Sequence, residues 1–360
     1  MQTSNESIGE SVLQNYFSEA LACFERATAH SGKRTQNYRV GPYSFRLDFA
    51  GPALEPRLAL AFGHLATTRT THNLQIVLWD TQSTGITMPP PPWEWRASSR
   101  NEVHIGDRIK IVYNGESGSL IMFDAMSRQG VYWIRQADNV PYYETGAPLL
   151  SAMHWWLASN GCQLVHAGAV GNDGGGVLLV GRGGSGKSTT ALACLSGGLD
   201  FAADDYCALA TGSEHIYSLY CSAKLAADST GRLPGLASAI HRPGTGVTEK
   251  TLFIMNRLVP DRLSAGFRLH AILLPRVAGN TATKLSPIPS ARALRALAPS
   301  TIFQLAGAGG NAFQTLASIV RRVPCFEIAV GTDLPRIPAV IRSLLKTLSS
   351  PNEGEGASDV

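Results

Sequence analysis

Charge is scarce in this chain. Asp, Glu, Lys and Arg make up only 16% of its 360 residues, the net charge is +4, and Lys and Arg form no run. That balance is too thin to argue for a nucleic-acid or membrane-surface partner, and neither is expected. A mild positive excess suits a polyphosphate ligand without demanding one. Cysteine is sparse as well. Cys23, Cys162, Cys194, Cys207, Cys221 and Cys325 are scattered, no two form a CxxC pair, and most sit within apolar runs. Buried thiols in a reducing cytoplasm are therefore expected, and a disulfide framework or cysteine metal site is not. The N-terminus carries Glu6 and Glu10 with no basic-then-apolar run, so no signal peptide is expected. No stretch approaches the roughly 18 apolar residues of a spanning helix. Hydrophobic residues make up 44%, enough for a large buried core, and the length allows two domains.

Against that background one stretch stands out, residues 177–205. An apolar strand at 177–180 runs into a glycine-rich turn, and a helix follows with Ala191, Leu192, Cys194 and Leu195 on its apolar side. Gly181, Gly186, Lys187 and Ser188 fit G-x-x-x-x-G-K-[ST], the phosphate-binding P-loop. Gly181, Gly183, Gly184 and Gly186 can take positive φ and let the backbone close on an anion. Successive N–H groups then point inward, and the new helix N-terminus adds partial positive charge. The expected nucleotide contacts are Gly181, Arg182, Gly183, Gly184, Ser185, Gly186, Lys187, Ser188 and Thr189. Lys187 would bridge the β- and γ-phosphates, and the Ser188 hydroxyl would sit on Mg²⁺. The plain alternative is an ordinary glycine turn in a chain that is one-tenth glycine.

Residues 8–30 have helical spacing. From about 38 to 135 short alternating or β-branched runs follow one another at 38–40, 45–49, 74–79, 108–113, 120–123 and 132–134. Asn114-Gly115 and, more weakly, Gln129-Gly130 are turn signals between successive runs. The segment 88–95, four prolines followed by Trp93 and Trp95, fits a stiff surface loop with a tryptophan packed down, or else a partner ligand. Residues 146–159 look like an amphipathic helix. Two strands come next, 163–170 and 177–180, and the six turn formers between them favour a hairpin. The loop-bearing strand is thus expected on a mixed sheet. Further strands are expected at 199–201, 216–220, 252–255, 270–274 and 325–330, with a loop-rich stretch to 248. Helices are expected at 290–298, 311–322 and 337–348. The organisation predicted is a mainly β domain at 1–145, a P-loop domain at 146–348 and a disordered tail at 349–360.

A P-loop does not name a reaction. Asp204 and Asp205 follow a strand after the P-loop helix, and adjacent carboxylates make most sense where a cation compensates them. One could order Mg²⁺ and the other could take a proton from a hydroxyl. A helix cap or turn pair is the plain alternative. His166, Lys224, Glu249 and Lys250 are further candidates for contacts to phosphate or acceptor, each set against an ordinary solvated or core role.

The stretch from His166 to Asp205 resembles the catalytic domain of HPr kinase/phosphorylase, a bacterial protein-serine kinase whose fold is shared with phosphoenolpyruvate carboxykinase. That family carries a histidine on the strand before the P-loop, then G-x-x-G-x-G-K-S, then A-D-D after one helix. Here these are His166, residues 181–188 and Ala203-Asp204-Asp205. The resemblance implies an α/β P-loop kinase on a mixed sheet, with Asp205 as the base, Lys187 on phosphate, Ser188 and Asp204 on Mg²⁺, and His166 beside the pair. Ser222-Ala223-Lys224-Leu225 and Glu249-Lys250 are closer to divergent members, some of them in lasso-peptide clusters, which phosphorylate a serine of a precursor peptide. The expectation is an ATP- and Mg²⁺-dependent serine kinase acting on a small protein or peptide. A nucleotide-binding regulator and a small-metabolite kinase are the alternatives. Oligomeric state is left open, a homo-oligomer included.

Overall fold

The computed structural model describes residues 2–3, 8–93, 102–244 and 249–350. Its first part holds eight strands: β1 (Gln2–Thr3), β2 (Lys33–Val40), β3 (Tyr43–Ala50), β4 (Leu74–Asp80), β5 (Glu102–Ile105), β6 (Ile109–Asn114), β7 (Ser119–Asp124) and β8 (Gln129–Ile134). They form one sheet in the order β1-β5-β6-β7-β8-β4-β3-β2. The helix α1 (Glu10–Ser31) covers one face, burying Leu13, Phe17, Ala20 and Phe24 against Trp79, Met122 and Val131. That i, i+3/i+4, i+7 spacing on the helix meets the i, i+2 spacing of the strands. Two single turns, α2 (Glu55–Leu58) and α3 (Thr81–Thr84), connect strands.

The second part begins with α4 (Tyr142–Gly146) and α5 (Leu150–Ser159). The helix expected over 146–159 is therefore broken before Leu150, where Leu149 takes φ 57°. Five further strands surround the glycine-rich turn: β9 (Cys162–His166), β10 (Gly168–Asn172), β11 (Gly175–Leu179), β12 (Asp200–Ala203) and β13 (Tyr206–Ala210), with α6 (Lys187–Ser196) between β11 and β12. After them come β14 (His215–Ser218), β15 (Ser222–Ala226), β16 (Ile240–Arg242), β17 (Lys250–Ile254), β18 (Gly266–Val277), β19 (Lys284–Pro287), α7 (Ser290–Ile302), α8 (Gly310–Arg322), β20 (Cys325–Val330) and α9 (Arg336–Ser349).

The main path of this nine-stranded sheet is β12-β10-β11-β18-β14-β13-β9, with β20 beside β18 and β19 beside β20. β11 pairs antiparallel with β10 and parallel with β18, so the sheet is mixed and the architecture is mixed α/β. A small sheet, β15-β17-β16, stands apart.

Two sequence expectations need correction. The strand expected over 163–170 divides at Ala167. Its first half, β9, pairs with β13, and only its second half, β10, pairs with β11. His166 thus does not lie on the strand beside the loop-bearing one. Gln129-Gly130 is not a turn but the start of β8, and the turn falls at 125–128, with Arg128 at φ 55°. Gly130 is in the strand because β4 presses close: a Cβ there would meet Ile76 Cγ1 at 3.0 Å.

Within the proline segment, the Pro89 carbonyl accepts from the Tyr16 hydroxyl at 3.1 Å and Trp93 packs edge-on against Tyr16. Glu94 and Trp95 lie outside the described residues. So do the tail beyond Ser350 and the last four residues of the loop-rich stretch ending at 248. All six cysteines are buried and free. Among the described residues no helix is long and apolar enough to cross a membrane.

Candidate active site

β11 ends at Leu179 in a buried run, and the chain then needs three residues with positive φ. They are Gly181 at 150°, Gly184 at 78° and Gly186 at 100°. α6 starts directly at Lys187, so its unpaired N–H groups face the turn. The Lys187 side chain curls back over the loop. Its ammonium donates to the carbonyls of Gly181 at 2.6 Å and Arg182 at 3.3 Å. Burial pushes the Lys187 ammonium below its ordinary value, against the pull of Asp204 and Asp205. Arg182, Gly183 and Gly184 are exposed at the rim, Ser185 and Thr189 are half-buried, and the Ser185 hydroxyl is enclosed with no hydrogen-bond partner.

β12 delivers the acidic pair to the same place. The Asp204 carboxylate faces the Ser188 hydroxyl and accepts the Lys224 backbone N–H at 2.8 Å. Its other oxygen, Oδ1, is buried with no partner. Asp205 is held differently: Lys224 Nζ lies 2.9 Å from its Oδ2, and His166 Nε2 lies 3.7 Å from its Oδ1. His166 is steadied by Thr301, whose hydroxyl accepts its backbone N–H at 3.2 Å, and by ring contact with Tyr206.

These surroundings separate the two acids. Burial and the neighbouring Asp205 charge push the Asp204 carboxyl up, despite the Lys224 N–H and Ser188. Burial acts upward on Asp205 too, but Lys224 and His166 outweigh it and hold that carboxyl well below the usual carboxylate range. Asp205 is thus the member that stays charged. Asp204 is an enclosed acid with an unsatisfied oxygen, next to a hydroxyl, at the mouth of the glycine-rich loop.

That donor set suits Mg²⁺. The ion takes one or two protein oxygens and completes its shell with water and phosphate. Ser188 and Asp204 are the residues that would hold it. Among the described residues no group of three or more His, Cys, Asp or Glu could hold a metal ion.

Of the other sequence candidates, Lys224 is brought into the centre. Lys250 is exposed at the start of β17, but its charge reaches Lys187 and Asp204. Glu249 instead lies 3.7 Å from Arg242, which stacks over Tyr142.

Sequence reasoning missed one feature. A cleft of about 670 Å³ lies on the rim of the loop, between Gly181–Ser185 and the end of β18. Its floor carries Arg276 and Arg292, both joined to Glu327, with Arg276 Nε at 2.8 Å. The two arginines and the glutamate come from β18, α7 and β20, so no local pattern could have linked them.

No family model matches the chain, and no curated protein does. Among solved structures the Hpr(Ser) kinase/phosphatase from Coxiella burnetii is similar at 13% identity, covering 51% of this chain and 95% of that chain, with a TM-score of 0.26. A likeness at that level supports neither a fold assignment nor a role, and the site rests on its own geometry.

Proposed function

We propose that this chain is an ATP- and Mg²⁺-dependent phosphotransferase whose acceptor is a hydroxyl, most naturally a serine of a small protein or peptide. One observation carries the reading. Two adjacent carboxylates sit at the mouth of a phosphate-type loop, one buried and facing the loop serine, the other partly buried and held charged by Lys224 and His166. A loop that only sensed nucleotide would have no use for the second carboxylate, which is kept charged in its partly buried place only by Lys224 and His166.

In this reading the loop amides and Lys187 hold the β- and γ-phosphates, with Lys187 leaving the Gly181 and Arg182 carbonyls to do so. The nucleoside lies along the cleft by Arg276 and Arg292. Mg²⁺, held by Ser188 and Asp204, would neutralise phosphate charge. The acceptor hydroxyl gives its proton to Asp205 as its oxygen bonds to the γ-phosphorus. The bond from that phosphorus to the bridging oxygen breaks, and ADP leaves with the electron pair. Lys224 and His166 orient the Asp205 carboxylate.

The test is intact-mass spectrometry of candidate acceptor peptides incubated with the protein and Mg·ATP, alongside Asp205→Asn and Lys187→Ala. Asp205→Asn is expected to bind Mg·ATP nearly normally and to lose transfer by about 10²- to 10⁴-fold, the usual contribution of a general base. Lys187→Ala is expected to weaken both binding and turnover. Retained transfer in Asp205→Asn would remove that residue from the role of base.

A further inference from the structure

A second cavity, of about 230 Å³, lies beside Lys224, and no residue of the glycine-rich loop lines it. It forms where the two parts of the molecule meet. Asn114 at the end of β6, Glu144 in α4, Ser151 in α5, Tyr206 in β13, Lys224 in β15 and Gln304 after α7 all line it. Lys224 therefore has two sides: its ammonium binds Asp205 at 2.9 Å, and its stem walls this cavity. Gly146 makes that course possible, because a Cβ there would sit 2.9 Å from Lys224 Cε.

The cavity is small. Ligand pockets for drug-sized molecules run from about 300 Å³ upward, so this one suits a single side chain or a very small molecule. Its charges are uneven. Lys224 is already committed to Asp205. Glu144 faces the Tyr132 hydroxyl, and burial pushes its carboxyl up to about 7 with no cation opposing that shift. Half-buried and lining the cavity, that carboxyl is open to a cation entering it, and a cation there would favour its charged form.

We infer that this cavity is the acceptor pocket, and that the acceptor carries a cationic group that reaches Glu144 while its hydroxyl reaches Asp205 past Lys224. This rests on the phosphotransferase reading and adds a substrate class to it. The chemistry is that of an amino alcohol, or of a serine with a lysine or arginine beside it.

The test is equilibrium binding to the full-length protein with Mg²⁺ and a non-hydrolysable ATP analogue, using matched probe pairs. One pair is 2-aminoethanol against 1,2-ethanediol. The other is a short peptide with Lys beside Ser against the same peptide with norleucine in place of Lys. In at least one pair the cationic member is expected to bind ten times tighter or more, and that pair identifies the source of the cation. Glu144→Gln is expected to reduce the difference to less than twofold, and Glu144→Asp to restore part of it. Equal binding within both pairs, no binding of any probe, or a preference unchanged in Glu144→Gln would each overturn the assignment. The wild-type comparison decides even where a variant fails to fold. Transfer to a hydroxyl without cation preference would sink this inference and leave the proposed activity standing. Cation-selective binding with no transfer from Mg·ATP would do the reverse.

Discussion

The turn between β11 and α6 shows how one residue's backbone angle sets its tolerance. Gly186 holds φ 100° at the helix cap, a region that an L side chain enters at a cost of about 1–3 kcal/mol. Gly183 has no such φ, and a Cβ there would meet nothing within 4 Å. Urea unfolding should therefore show Gly186→Ala destabilised by about 1–3 kcal/mol and Gly183→Ala by less than about 0.5 kcal/mol. Equal losses at the two sites would show that loop strain is not what selects glycine. Gly146→Ala tests a different cause, overpacking. A Cβ would press on Leu252 Cδ1 and Lys224 Cε, both at 2.9 Å, with an expected cost of about 1–3 kcal/mol. Because the displaced atom belongs to the lysine that pairs with Asp205, turnover should fall together with the melting temperature. The turn itself was legible in the sequence because its pattern is local: the positive-φ glycines and the helix start at Lys187 fall within eight consecutive positions. Lys224 was only one ambiguous lysine among several, since its partner lies on another strand and only the fold brings them together.

Elements were legible where period and length agreed. The burial stripe of α1 and the apolar core of β18 follow directly from spacing. The division of 163–170 into β9 and β10 was not, because both halves are apolar and the switch at Ala167 depends on which neighbours each half finds. β2, β3 and β4 show a polar device of the same non-local kind. Asp48 is fully buried, accepts from Thr35 at 2.6 Å and Gln75 at 2.6 Å, and pairs with Arg46 at 2.9 Å and Lys33 at 3.3 Å. Burial acts to raise its carboxyl, but these partners together hold it below its ordinary value. A depressed folded pKa means stability that is complete above the unfolded value, about 4, and lost as the pH falls through the folded one. Lys33 and Arg46 keep some solvent access, so Asp48→Asn should cost about 2–3 kcal/mol at pH 7, below the range for severing a fully buried pair. The gap between variant and wild type should narrow as the pH falls below that unfolded value. A gap that persists unchanged there would mean that packing, not charge, carries the loss.

At the scale of the whole molecule, the change of sequence texture near residue 135 marks the end of the first sheet but not the end of its core. One apolar cluster runs from Tyr38 and Phe62 through Trp156 to Tyr206, Tyr220 and Leu305. Two histidines sit along this shared region. His64 Nε2 lies 2.7 Å from the Ser218 hydroxyl, which itself donates to the Ala202 carbonyl at 2.6 Å. Ser218 has thus used its proton, so His64 is the donor through Nε2–H. Its Nδ1 is buried and unpartnered, as is Nδ1 of His154 in α5. Burial pushes both imidazoles down to about 4, and the Lys110 charge adds to this at His154. The unfolded chain takes up these protons near pH 6.5, well before the folded chain does. The contribution of these two histidines is therefore full above about pH 6.5 and falls as the pH drops toward 4, by up to about 1.4 kcal/mol per pH unit for each. Glu144 and Asp204, whose carboxyls burial pushes up, act in the opposite sense over the same range, so the test is a difference: from pH 7 to 6 to 5 the urea midpoint of the wild type should fall relative to that of His64→Gln combined with His154→Gln. A difference between the two proteins that stays level from pH 7 to 5 would show that water or a rearranged core reaches these rings. The joint between the two parts would then be looser than its packing indicates.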